Sequence, residues 1–214
     1  MTSGAVVAMP APADATDRAA ERARDRRRRE LQRVSLLRRA GVLPEHMRAE
    51  LTDFPADVQA KALAFLKRPA DARGLLIKGD PGVGKSHLAA ATLWRAMLDA
   101  GVELVAVVSM GALLDRIWET MREGARETTS SALAYYTTRV LLVIEDLGNE
   151  GRVTEPVIAR LHRILDVRNG SYRPTIATTT KSEAELGALY GMSVASRLGA
   201  WDALTLVGPD RRRG

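Results

Sequence analysis

Apolar residues fall along this chain in short unbroken runs, separated by longer stretches in which they recur every three or four positions. The runs lie at 74–78, 103–108, 140–144, 175–178 and 203–207 and predict five strands. Val140-Leu141-Leu142-Val143-Ile144 has no polar interruption, as expected of a strand buried on both faces. Helical periodicity fills the gaps. It predicts a helix after Pro55 with Val58, Ala62, Phe65 and Leu66 on one face, ended by Pro69. Another spans 88–98 and stops at Gly101, and one capped by Ser109 carries Leu113, Leu114, Ile117, Trp118 and Met121. Further helices are predicted at 154–168, 182–189 and 192–199. Strands alternating with helices imply a parallel sheet covered on both faces. Trp94, Trp118 and Trp201 are expected in the core.

Ahead of this pattern the chain reads differently. Residues 1–13 are rich in Ala and Pro and predict disorder. Residues 14–40 predict a helix stopped by Gly41, with four consecutive arginines at 26–29 and a narrow stripe of Leu31, Val34 and Leu37. Residues 44–54 predict a short helix and a connector. The division expected is a disordered 1–13, a basic partner-binding arm and connector over 14–54, and a core over 55–214.

The net charge of +6 sits at the two ends. Residues 1–50 hold 11 Arg against 7 acids, and 210–214 hold 3 Arg against Asp210, while 51–209 balance. Basic ends suit contact with nucleic acid or an acidic partner. The chain has no cysteine, which excludes disulfides and thiolate metal sites. His46, His87 and His162 lack metal-ligand spacing and are expected to be structural. No apolar run reaches membrane-spanning length. The first residues lack the basic start of a secretory signal, so a cytoplasmic protein without membrane contact is expected.

The chemistry concentrates at Gly79-Asp80-Pro81-Gly82-Val83-Gly84-Lys85-Ser86, followed by His87. This is the G-x-x-x-x-G-K-[ST] phosphate loop, placed between a strand and a helix as its mechanism requires. The glycines let successive N–H groups form a concave nest, toward which the new helix points its positive end. Lys85 would meet the β/γ-phosphates of ATP, and the Ser86 hydroxyl would meet Mg²⁺. Glu145-Asp146 close the strand at 140–144. In an open α/β sheet, ligands sit at the carboxyl ends of the strands. Glu145 is therefore a candidate for Mg²⁺, directly or through water, and Asp146 for orienting or deprotonating the attacking water.

The order of Gly79–Ser86, His87-Leu88-Ala89, Leu141–Gly148, Pro174–Thr180 and Ser196-Arg197-Leu198 resembles the DnaC/IstB family of AAA+ ATPases, from about Ala40 onward. Gly41-Val42-Leu43-Pro44 and Thr52-Asp53-Phe54 are similar to the segment this family places before its core. The resemblance implies a P-loop NTPase of AAA+ type: a three-layer α/β fold with a parallel sheet, a reduced C-terminal lid and an N-terminal helical arm. It implies that Lys85, Ser86, Glu145 and Asp146 hold and hydrolyse ATP. It puts Thr180 at the sensor position and makes Arg197 the arginine that reaches the γ-phosphate of a neighbouring subunit. That role implies a homo-oligomer with the ATP site at the subunit interface.

Two departures bear on rate. Glu145 stands where the family has Asp, and Thr180 where it has Asn, so slow hydrolysis acting as a switch is expected. Helices at 110–138 correspond to the family's single-stranded DNA contacts, making Arg116, Arg122 and Arg126 candidates for phosphates and Tyr135 and Tyr136 for base stacking or core packing. The leading expectation is a loader that delivers a hexameric replicative helicase to single-stranded DNA, with the basic arm gripping the helicase. The alternatives are an IstB-like helper of a transposase on duplex DNA, and a catalytically silent DNA-binding module that uses ATP structurally. A small-molecule kinase lacks any acceptor-site motif.

Overall fold

A computed structural model describes residues 15–67, 74–151 and 153–211. The disorder expected over 1–13, the helix stop at Pro69, and Arg212 and Arg213 lie outside the described residues. The chain divides into two compact units, residues 1–36 and 37–214.

The first unit is most of one helix, α1 (Ala15–Ala40). The arginines at 26–29 are exposed on it, and so is Leu31, at 63%. The expected apolar stripe is therefore not continuous through Leu31.

The second unit holds five strands: β1 (Leu75–Lys78), β2 (Val105–Ser109), β3 (Leu141–Leu147), β4 (Thr175–Thr179) and β5 (Asp202–Thr205). They form one sheet in the order β2-β3-β4-β1-β5, and every pair is parallel. Parallel neighbours need crossovers, and helices supply them. These are α3 (Lys85–Ala100) after β1, α4 (Met110–Glu119) and α5 (Thr129–Thr138) after β2, α6 (Glu155–Gly170) after β3, and α7 (Glu183–Tyr190) and α8 (Met192–Gly199) after β4. A further helix, α2 (Ala56–Leu66), precedes β1. The helices lie on both faces of the sheet. Leu142 and Ile144 of β3 pack with Leu113 and Ile117 of α4 and Leu161 and Leu165 of α6 in one buried cluster.

Two assignments read from the sequence change. Residues 37–54, placed with the arm, belong to the second unit. Leu37, Ala40, Val42, Met47, Leu51 and Phe54 are all buried, and two short 3₁₀ turns, Pro44–His46 and Leu51–Asp53, lie against α3. Gly41, at φ +96°, has no room for a Cβ beside Val107 O. Trp118, expected in the core, is 42% exposed, and Met121 lies beyond the end of α4. Leu113 and Ile117 carry the buried face of α4, and Trp118 sits at its margin. Trp201 is buried against Gly74, where a Cβ would overlap its ring. Among the described residues no helix is long and apolar enough to cross a membrane.

The strand order is what builds a site. With β4 between them, β1 and β3 stand two strand spacings apart, about 10 Å. The loops leaving β1, β3 and β4 thus open side by side at one edge of the sheet.

Candidate nucleotide-binding site

The loop from β1 turns into α3 through Gly82 and Gly84, at φ +81° and +101°. Both lie in the left-handed region, where a side chain would be strained. Lys85 is only 7% exposed, and its ammonium donates to Gly79 O at 2.9 Å and Asp80 O at 2.8 Å. These bonds fold the lysine back over its own loop and hold the charge before any anion arrives. No side chain caps the N-terminus of α3, leaving first-turn N–H groups for an anion.

A cavity of about 720 Å³ opens over this loop. Pro81, Gly82, Gly84, Lys85, Ser86 and His87 line one side, and Asp146, Asn149 and Thr180 face them. Gly79 and Asp80 take part through their carbonyls, and Val83 is buried beneath. The residues present fit a triphosphate: a nest of glycines, a held ammonium and an uncapped helix converge on one space.

The acid pair splits by exposure. Glu145 pairs in register with Ser109 and is buried, at 7% exposure. Burial pushes its carboxyl above the ordinary range. The hydrogen bond with the Ser86 hydroxyl opposes this, and the Asp146 and Glu45 carboxylates add to it. Glu145 thus reaches Ser86, the pair that could hold a divalent cation. A cation there would also relieve the cost of the buried charge. Asp146 is exposed at φ +56°, where the β3–β4 register shifts. Its N–H donates to Thr178 Oγ1 at 3.0 Å. Successive side chains of a strand point to opposite faces, and here Glu145 is turned inward while Asp146 lines the cavity. The Thr180 hydroxyl donates to Asn149 Oδ1 at 3.1 Å, so an amide does stand beside the sensor position.

The structure also brings in residues that the sequence reading left out. Glu45, His46, Asn149 and Arg211 line the cavity, with His87. The His87 ring shares a 2.8 Å hydrogen bond with Asp53 and lies 5.7 Å from the His46 ring and 5.8 Å from Phe54. Asp53 is held below the ordinary carboxylate range, first by the Glu50 N–H and then by His87. His87, expected with the phosphate loop to bind the nucleotide, and His46, read as structural, therefore form one wall of the site. The segment Gly41-Val42-Leu43-Pro44 signals this wall, whereas nothing local signals Arg211.

Arg197 stands outside the cavity lining. It donates to Asp166 Oδ1 at 2.7 Å and to Ser193 O at 2.9 Å within its own chain. Among the DNA candidates, Tyr136 is buried and Tyr135 half-buried. Arg116 makes a two-pronged bond to Glu127, at 2.8 and 2.7 Å, which favours its charged form. The guanidinium groups of Arg116 and Arg139 stack on Tyr135, 4.3 and 4.0 Å from its centroid. Arg122 and Arg126 are exposed on a shallow groove nearby.

Known proteins resemble this chain in sequence and in fold. A family model described as IstB-like ATP binding protein matches residues 18–196. The replicative helicase loader DnaC of Escherichia coli strain K12 is 25% identical over 200 residues, covering 89% of this chain and 78% of that protein. Uncharacterized protein YdaV of the same strain is 27% identical over 181 residues, covering 81% and 71%. A crystal structure of the DnaC helicase loader superposes with a TM-score of 0.65 at 24% identity, over 77% of this chain and all of that one. AMPPCP-bound DnaA from Aquifex aeolicus gives 0.66 at 16% identity, over 80% of this chain and 52% of that one. The chain thus spans about half of that DnaA, and these two structures share its fold.

Proposed function

The chain belongs to the family of IstB-like ATP-binding proteins, and from that membership we propose that it is an ATP-driven loader of a hexameric replicative helicase. In this reading it assembles on single-stranded DNA as a homo-oligomer and hydrolyses ATP slowly, as a switch. The observation that carries the ATP reading is the cavity in which Lys85, Ser86, Asp146 and Thr180 converge from three strand ends. The loader role draws on the DnaC relative.

Each side chain then has a task. Lys85 binds the β/γ-phosphates, and the nest N–H groups fix them. Ser86 and Glu145 hold Mg²⁺, which when bound neutralises charge on the phosphates. Asp146, exposed to the cavity, orients a water and accepts its proton. Thr180 and Asn149 position that water through the hydroxyl and the free end of the amide. Arg122, Arg126 and the arginines at 26–29 are among the exposed basic groups that would meet DNA or the helicase.

Arg197 completes the site of a neighbouring subunit. Its bond to Asp166 is partly exposed, and such pairs contribute only about 0–1 kcal/mol. Exchange for a phosphate is therefore inexpensive. Arg197→Ala is expected to keep ATP affinity within about twofold while DNA-stimulated hydrolysis falls by about a thousandfold or more. Mixing it with Lys85→Ala subunits should restore part of the rate, because those subunits still supply the arginine. Phosphate release at the wild-type rate from Arg197→Ala alone would remove the arginine from this role.

The likeness to IstB gives one other reading, a helper ATPase that directs a transposase on duplex DNA. The test is capture from the host with and without a non-hydrolysed ATP analogue. Loading expects a hexameric helicase, held more tightly with the analogue. Recovery of a transposase in its place would overturn loading.

A further inference from the structure

The turn that ends β3 carries two of the residues that face the phosphate loop. The Asn149 N–H donates to Asp146 O at 3.1 Å, closing a turn over Asp146-Leu147-Gly148-Asn149. Its two ends, Asp146 and Asn149, line the cavity. Its third residue, Gly148, stands at φ +91°, the sign that a type II turn requires there. A Cβ on Gly148 would lie 2.6 Å from Lys181 Cγ and, on α7, 3.2 Å from Leu186 Cδ2. The turn is thus pressed against the helix behind it.

One peptide group, between Leu147 and Gly148, forms the middle of this turn, and it is held at both ends. Its carbonyl, Leu147 O, accepts the Thr179 hydroxyl of β4 at 2.6 Å. Its N–H, on Gly148, donates to the Tyr190 hydroxyl at 2.8 Å and to Glu150 Oε2 at 3.1 Å. Glu150 belongs to the same stretch of chain and gives the turn no outside anchor. Tyr190 is the last residue of α7, fully buried, and packs in one core cluster with Leu186 and Leu147. Turns of types I and II differ in which way the middle peptide faces. Reversing it would break the bonds to Thr179 and Tyr190 and re-aim the residues on either side. A phenylalanine would fill the same space without the cost of burying a hydroxyl.

We propose that Tyr190 is a positioning residue for hydrolysis: through the Gly148 N–H its hydroxyl fixes the middle peptide of the turn, and with it the placement of Asp146 and Asn149 over the bound nucleotide. The proposal rests on the reading of Asp146 and Asn149 as the groups that orient the attacking water. Tyr190 stands behind the turn and outside the cavity lining. It therefore acts on the rate, where small misplacements of a reacting group are costly, and leaves affinity to the phosphate loop.

The test compares full-length wild type, Tyr190→Phe, Tyr190→Leu and Asp146→Asn with ATP and magnesium, well below every melting temperature. Single-turnover hydrolysis by Tyr190→Phe is expected to fall about tenfold while the Kd for ATP stays within about twofold. Amide exchange without nucleotide should quicken about tenfold over residues 146–150 and stay unchanged in α3. Leucine leaves a cavity as well as removing the hydroxyl, so it should melt lower yet hydrolyse within about threefold of phenylalanine. A rate that instead follows the melting temperature, near wild type in Tyr190→Phe and lost in Tyr190→Leu, makes Tyr190 a packing residue and overturns the proposal. Unchanged exchange over 146–150 in Tyr190→Phe would show that Glu150 alone holds the peptide, and overturns it too. Wild-type hydrolysis in Tyr190→Phe, with hydrolysis lost in Asp146→Asn, overturns the proposal and leaves the reading of the site standing. Wild-type hydrolysis in Asp146→Asn, or none in wild type, would end that reading and this one with it.

Discussion

Lys85→Ala is expected to raise the Kd for ATP by at least about a hundredfold and to abolish ATP-dependent partner capture. The ammonium is already in place, held by Gly79 O and Asp80 O, so little ordering is left to do on binding. Its loss leaves the cavity with Glu45 and Asp146 against Arg211. An anion entering that space meets net repulsion. Thermal denaturation gives an independent measurement. A ligand at a hundred times its Kd stabilises the folded state by about 2.7 kcal/mol, and the alanine variant should show almost none of this protection. Without nucleotide the two proteins should melt within a few degrees of each other, because the carbonyls that hold the ammonium, Gly79 O and Asp80 O, belong to a loop that lines a cavity water can enter. Equal protection of both proteins by ATP would mean that the phosphates bind elsewhere.

What could be read before the structure was whatever lies contiguous in the chain. The phosphate loop is eight consecutive residues between a strand and a helix, and its backbone does the work. The run 140–144 announces β3, and Glu145-Asp146 follow it directly. The contrast between these two acids could not be read. One is buried beside Ser86 and the other faces the cavity, and which of two adjacent strand residues turns inward is set by the packing of the sheet rather than by the two acids themselves. Glu45, His46, Asn149 and Arg211 were out of reach for a different reason. Each arrives through tertiary closure, from the 3₁₀ turns on α3, from the loop after β3, or from the tail that extends β5. Basic residues near the terminus read as an arm for nucleic acid, but the β1–β5 register brings Arg211 to the phosphate loop instead. The segment 44–54 read as a short helix and connector because its apolar residues are spaced irregularly. Its burial follows from the two 3₁₀ turns, which gather Met47, Leu51 and Phe54 onto α3.

Arg168 carries the second large expectation, on stability. It read from the sequence as the last turn of a helix, yet it is fully buried. Its guanidinium donates to Tyr136 O and Arg139 O at 2.8 Å, Pro174 O at 2.5 Å and Thr175 Oγ1 at 2.8 Å. Burial pulls its pKa down to about 9, with the Arg173 charge adding to the effect, so it stays charged at neutral pH. The acceptors explain how a buried cation is tolerated. α5 runs directly into Arg139 without a left-handed cap, and its last carbonyls need donors. Arg168 supplies two, Arg173 bonds Thr137 O at 2.6 Å, and Arg139 bonds Tyr135 O at 3.0 Å. Three guanidinium groups thus cap one helix at the negative end of its dipole, while Arg168 also ties it to the start of β4. Arg168→Met would remove the buried charge, a gain, but would leave Tyr136 O, Arg139 O and the Thr175 hydroxyl without this donor, each costing about 1–3 kcal/mol if it finds no water, while Pro174 O would keep the Leu142 N–H. The loss should win by about 3–5 kcal/mol, lowering the melting temperature by about 10 °C. Arg168→Lys should fall between, because one ammonium cannot span acceptors on α5, β4 and the turn before it. The fraction that remains folded should bind ATP with wild-type affinity, which separates this anchor from the site. A methionine variant as stable as wild type in chemical denaturation would show that the carbonyls find other partners and that Arg168 does not cap α5.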